Sequence, residues 1–110
     1  MNIKAIVLAA TLTLTGCLNI GTPPSQITGA YVSPLKYDDN TCKELTVEAS
    51  SLARRYNILT IAQEQRVSSN KTKAFWMGSG NGDGIEAAEL ATVTGEREAV
   101  RTAMETKACS

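Results

Sequence analysis

Cys42 and Cys109 bracket two helical patterns, and that bracket constrains the chain more than any other feature. Thr41 with Glu44 three residues on has the signature of a capping box, in which side chain and backbone satisfy each other at a helix start. Leu45, Ala49, Leu52, Tyr56, Leu59 and Ala62 then recur on one helix face, with Ile58 and Ile61 widening the stripe. This spacing predicts a helix from about Thr41 to Val67, ending at Ser68-Ser69-Asn70. Asp83 with Glu86 reads as the N-cap and acidic first turn of a second helix. Leu90, Val93, Val100 and Met104 form its apolar stripe, and Ala87, Ala91, Ala99 and Ala103 permit close approach. Arg97 interrupts the stripe, where its aliphatic stem can cover the seam while the charge reaches water. Gly95 inside the pattern costs up to about 1 kcal/mol relative to alanine. A reversal near Trp76 gives arms of nearly equal length and brings Cys42 and Cys109 together at the open end. The expected fold is all-α: an antiparallel, coiled-coil-like two-helix hairpin over residues 41–110, closed by one disulfide.

The third cysteine has a different context. Lys4 precedes an uncharged, mostly apolar run from Ala5 to Leu14. That run is shorter than the roughly 20 residues a bilayer span needs, but suits the apolar region of a signal peptide. Leu14-Thr15-Gly16-Cys17 follows and resembles the lipobox of bacterial lipoproteins. The resemblance implies a signal peptide over 1–16, cleavage before Cys17, and lipid attachment to its thiol and freed amine. Leu18 is not the aspartate associated with inner-membrane retention, so the implied location is the outer membrane, lipid-anchored and periplasm-facing. With Cys17 assigned to lipid, Cys42 and Cys109 remain as a pair in an oxidising compartment. One structural disulfide is the plain reading, with an intermolecular bridge or a free thiol as alternatives.

Residues 17–40 are rich in Gly, Pro, Ser, Thr and Asn and read as a lipidated flexible tether. Tyr31 to Tyr37 is more apolar, and Pro34 disfavours helix there. This piece is expected to lie extended across the hairpin base, with both tyrosines near the disulfide. The chain has no histidine, which removes histidine acid–base catalysis and His-Cys metal sites. Its charges balance, with no basic excess for nucleic acid. No catalytic, cofactor-binding or metal-ligating set stands out, so the chain is expected to be non-enzymatic and cofactor-free.

Gly78 to Gly84 is the most suggestive local run. As G-x-G-x-x-G it fails at Asp83, the sixth position. As a calcium loop it fails at Leu90, where the bidentate glutamate belongs. It reads instead as a flexible connection between helices. Phe75-Trp76-Met77, with Lys71 and Lys73 just before, is the candidate contact for a partner protein or a lipid surface, unless it folds down to cap the hairpin.

Tyr31-Val32-Ser33-Pro34, Tyr37, Cys42, Leu45 and Glu48, followed by Ala87-Ala88-Glu89-Leu90-Ala91, Gly95-Glu96, Ala99 and Cys109, resemble a family of small uncharacterised proteobacterial lipoproteins. Its members tend to carry a longer Phe-Trp-Pro segment at the turn, where this chain has Phe75-Trp76-Met77 and then glycines. The resemblance implies architecture and location and brings no activity with it. The expected role is an outer-membrane-anchored interaction module of an envelope assembly, such as a secretion, conjugation or surface-exclusion system. Its partners are the membrane, through the lipid, and a protein or a second copy. The alternative is a small periplasm-facing binding or inhibitor protein that uses the 71–84 loop.

Overall fold

The structure, a computed structural model, describes residues 19–109. The expected signal peptide and Cys17 lie outside the described residues. Helix α1 spans Cys42–Met77 and helix α2 spans Ile85–Thr106, packed against each other as a hairpin. There is no strand among the described residues.

Helix α1 begins as its capping residues dictate. The Glu44 amide donates to Thr41 Oγ1 at 3.1 Å, and the Thr41 amide donates to Glu44 Oε1 at 3.1 Å. These two bonds hold the Glu44 carboxyl below its ordinary pKa. The core between the helices gathers Leu45, Leu52 and Leu59 against Leu90, Val93, Ala99, Val100 and Ala103. Each buried Leu or Val contributes roughly 1.5–3 kcal/mol relative to exposure. Tyr56 is half-buried at the margin, with the Arg97 guanidinium 4.4 Å from its ring centre. Arg97 therefore stacks over an aromatic face beside the seam.

Three expectations are corrected. Helix α1 does not stop at Ser68-Ser69-Asn70 but continues to Met77. Asn70 is buried there, and its side chain is satisfied by the Gly82 carbonyl and the Asn81 amide, so a polar residue sits in the seam without ending the helix. The helix ends where Gly78 takes a left-handed conformation, φ 84°, and its amide closes on the Ala74 carbonyl. Ile58 and Ile61 do not widen the buried stripe; they are 67% and 55% exposed on the outer side of α1. The arms are unequal, with α1 at 36 residues and α2 at 22. The last turns of α1 are faced by the glycine-rich connection, which runs back along them.

Residues 19–40 contain two 3-10 turns, Pro24–Gln26 and Pro34–Tyr37, and otherwise irregular chain. This segment lies along the hairpin. The Ala30 amide donates to the Ala91 carbonyl at 2.9 Å, where the chain crosses α2 at Gly95. Tyr37 is buried in the core beside α2, and its hydroxyl donates to Glu96 at 3.3 Å. Burial, with the Glu96 and Glu48 carboxylates, pushes its pKa up to about 12. Tyr31 instead points outward, 87% exposed. At the open end, Cys42 and Cys109 form a disulfide with Cα atoms 5.5 Å apart.

Candidate functional site

The turn end of the hairpin concentrates the unusual chemistry. Its seam buries Gln63 and Asn70 beside Val67 and Ala74, whereas the disulfide half is apolar. Gln63, fully buried on α1, donates from Nε2 to the Thr22 carbonyl and to Asp83 Oδ1, both at 2.8 Å. Asp83 Oδ1 also accepts the Thr22 amide at 2.7 Å, and Asp83 Oδ2 accepts the Thr22 hydroxyl at 2.7 Å. About two turns further along α1, Asn70 holds Asn81 and Gly82, and Lys73 Nζ donates to Asn81 Oδ1 at 2.8 Å. The Arg66–Glu86 pair at 3.0 Å closes the start of α2 onto α1. Three separate stretches of chain are thus bolted together: residues 19–22, the 78–84 connection and α1.

This arrangement corrects the role of Asp83. The N-cap of α2 is Gly84, with no side-chain capping bond. Asp83 spends both carboxylate oxygens on Thr22 and Gln63 instead. The Asn81 side-chain oxygen in the 78–84 connection is likewise committed, since it accepts from Lys73 Nζ. Among the described residues no cluster of three or more Cys, Asp or Glu side chains is placed to hold a metal ion. The connection is not a free loop but a ribbon pinned to α1 by buried amides.

The Thr22 bonds hold the Asp83 carboxyl below the usual aspartate range, with Gln63 and the Arg66 charge adding to the effect. A carboxylate with a lowered folded pKa stabilises the folded state above its unfolded pKa of about 3.9 and loses that contribution as pH falls through the folded value. The latch is therefore expected to be intact at neutral pH and to open only in acid. Following the Thr22 amide resonance during a pH titration should give a midpoint below that of a free aspartate. In Asp83→Asn that titration should vanish. A Thr22 midpoint at the ordinary aspartate value would show that the carboxylate is not held.

Phe75, Trp76 and Met77 form the last turn of α1 rather than part of a loop. They do not fold down onto the hairpin. They are 80%, 78% and 74% exposed, and the two rings meet edge to face at 5.2 Å. Ile20 lines a shallow groove with Lys71, Ala74 and Phe75, so the N-terminal segment reaches the base of this aromatic turn. The sequence pattern singled out Phe75, Trp76 and Met77 but missed Thr22, Gln63, Asn70 and the latching role of Asp83. The only available signal was two amides, Gln63 and Asn70, falling on the inner face of a helix.

No described helix is long and apolar enough to cross a membrane. Comparison with protein-family models, with curated proteins and with solved structures finds no match to this chain.

Proposed function

We propose that this chain is an exported lipoprotein, cleaved before Cys17 and held through that cysteine to the outer membrane, where it acts as a non-enzymatic interaction module of an envelope assembly. The Leu14-Thr15-Gly16-Cys17 motif supports the address. The observation that carries the role is the amount of apolar side chain left uncovered on so thin a fold. Val47, Ile58 and Ile61 are exposed along the outer side of α1. A two-helix hairpin has only one seam in which to bury its apolar groups. Exposed apolar groups gathered on one element are what contact surfaces are made of. A secretion, conjugation or surface-exclusion system is the class of assembly that it would serve.

The alternative role, a binding or inhibitor protein, needs a projecting loop at 71–84. The helix instead continues to Met77, and residues 80–83 lie against α1 and residues 19–22. Nothing in this geometry favours that role over the first.

Crosslinking in intact envelopes, followed by mass spectrometry, tests the proposal. A photoreactive residue in place of Ile58 or Ile61 is expected to yield a discrete adduct with an envelope protein or a second copy. Recovery of the monomer alone would overturn it.

A further inference from the structure

We infer that the turn end of the hairpin faces the membrane, and that Phe75, Trp76 and Met77 enter the interfacial layer of the same bilayer that holds the lipid on Cys17. This rests on the lipidation of Cys17 proposed above. The first described residues lie at the turn end. Asn19 lies against Gly80 and Gly82, and Gly21 against Asp83. Thr22 is fixed by its bonds to Asp83 and Gln63. Residues 19–22 are therefore seated on the turn end and not on the disulfide end.

Cys17 lies two residues before Asn19, which limits their separation to about 7 Å at 3.3–3.6 Å per residue. An acyl group on Cys17 would therefore start within that reach of Asn19, not at the far end of a long tether. Asn70 of α1, which holds the ribbon that Asn19 touches, precedes Met77 by seven residues. At 1.5 Å per residue that is about 10 Å along the helix axis, so the aromatic turn and the lipidated cysteine share one end of the rod. Cys42, at the other end of α1, is about 40 Å from Asn70 by the same rise.

The chemistry of that end fits a bilayer surface. Tryptophan favours the boundary between headgroups and hydrocarbon, and phenylalanine beside it adds apolar surface of the kind that interfacial helices bury there. Phe75, Trp76 and Met77 are exposed together, and Ile20 adds an apolar side chain next to them. Residues 70–82 include Lys71 and Lys73 and no acidic residue, which matches a surface of anionic headgroups. The aromatic turn then adds a protein contact to the lipid and sets the direction of the rod. The disulfide end and the outer side of α1 are held away from the surface, where a partner can reach them.

Trp76 is the sole tryptophan, so it reports on its own surroundings. The full lipidated chain, purified from membranes, is placed in vesicles of phosphatidylethanolamine and phosphatidylglycerol whose acyl chains are brominated. Mass spectrometry of the N-terminal peptide from the same preparation establishes whether Cys17 carries lipid. With lipid present, Trp76 emission is expected to shift to the blue and to lose most of its intensity to bromine quenching. In a Trp76→Phe/Asp39→Trp variant, the tryptophan stands near the disulfide end and should stay unquenched. A lipidated chain whose Trp76 keeps a solvent-exposed, unquenched spectrum overturns this inference and leaves the lipoprotein reading intact. Quenching at both positions overturns the tip-first orientation. Absence of lipid on Cys17 overturns the lipoprotein reading and this inference with it.

Discussion

Replacing both Cys42 and Cys109 with serine is expected to lower the unfolding free energy by about 4 kcal/mol, from the chain-entropy relation for a loop of this size. The bridged residues are 67 apart in sequence, so the bond closes nearly the whole hairpin into one loop. Its position explains why so much depends on it. The 78–84 connection joins the helices at one end only, and the disulfide joins the other. Without it, the N-terminus of α1 and the C-terminus of α2 fray apart, and Leu45, fully buried within the first turns of α1, is the first core residue exposed. Cys42 is exposed and Cys109 only half-buried, so the serines disturb little packing. The effect is then mostly a gain of freedom in the unfolded chain. Typical domains have only 5–15 kcal/mol in total, and a fold with one seam stands at the low end. Denaturant unfolding of the full chain, oxidised and doubly substituted, measures the difference. Equal midpoints would show that the open end is held by other contacts.

Gly95→Ala is expected to destabilise the protein, the reverse of what helix propensity predicts. Propensity alone favours alanine by up to about 1 kcal/mol inside a helix. Here a Cβ at position 95 would stand 1.7 Å from the Ala30 carbonyl oxygen, which is backbone and cannot rotate away. Gly95 is where the 19–40 segment crosses α2, and the hydrogen bond that the Ala30 amide donates to the Ala91 carbonyl lies beside it. Accommodating the methyl means lifting Ala30 off the helix and losing that bond. Overpacking of this kind costs typically 1–3 kcal/mol. Even after the propensity gain, the melting temperature should fall, by roughly 4–8 °C for each net kcal/mol in a domain of this size. A rise in melting temperature would mean that the segment does not rest on α2.

The two substitutions probe different layers of the fold. The disulfide fixes the hairpin itself, and Gly95 fixes the strap laid over it. The strap matters because it carries the chain from the core at Tyr37, along α2, to the turn end at Thr22. A segment whose composition reads as a tether is thereby committed to a path. The path determines which end of the rod a lipid on Cys17 would occupy.

Local features were legible in the residues alone. The Thr41–Glu44 capping box and the Leu45-Leu52-Leu59 and Leu90-Val93-Val100 stripes follow from short-range chemistry, and the pairing of Cys42 with Cys109 was legible because two helical patterns joined by one reversal bring their outer ends together. A cap acts over three residues, and a helical face repeats every three or four, so each leaves a pattern along the chain. The outward placement of Ile58 and Ile61, the continuation of α1 to Met77, the closeness demanded at Gly95 and the seating of residues 19–22 were decided by tertiary structure. The bonds between Thr22 and Asp83 join residues 61 apart, and those of Gln63 reach across 41 and 20. A hydrogen bond over such a distance leaves no period in the sequence, and a glycine in a helix looks the same whether it is a weakness or a crossing point.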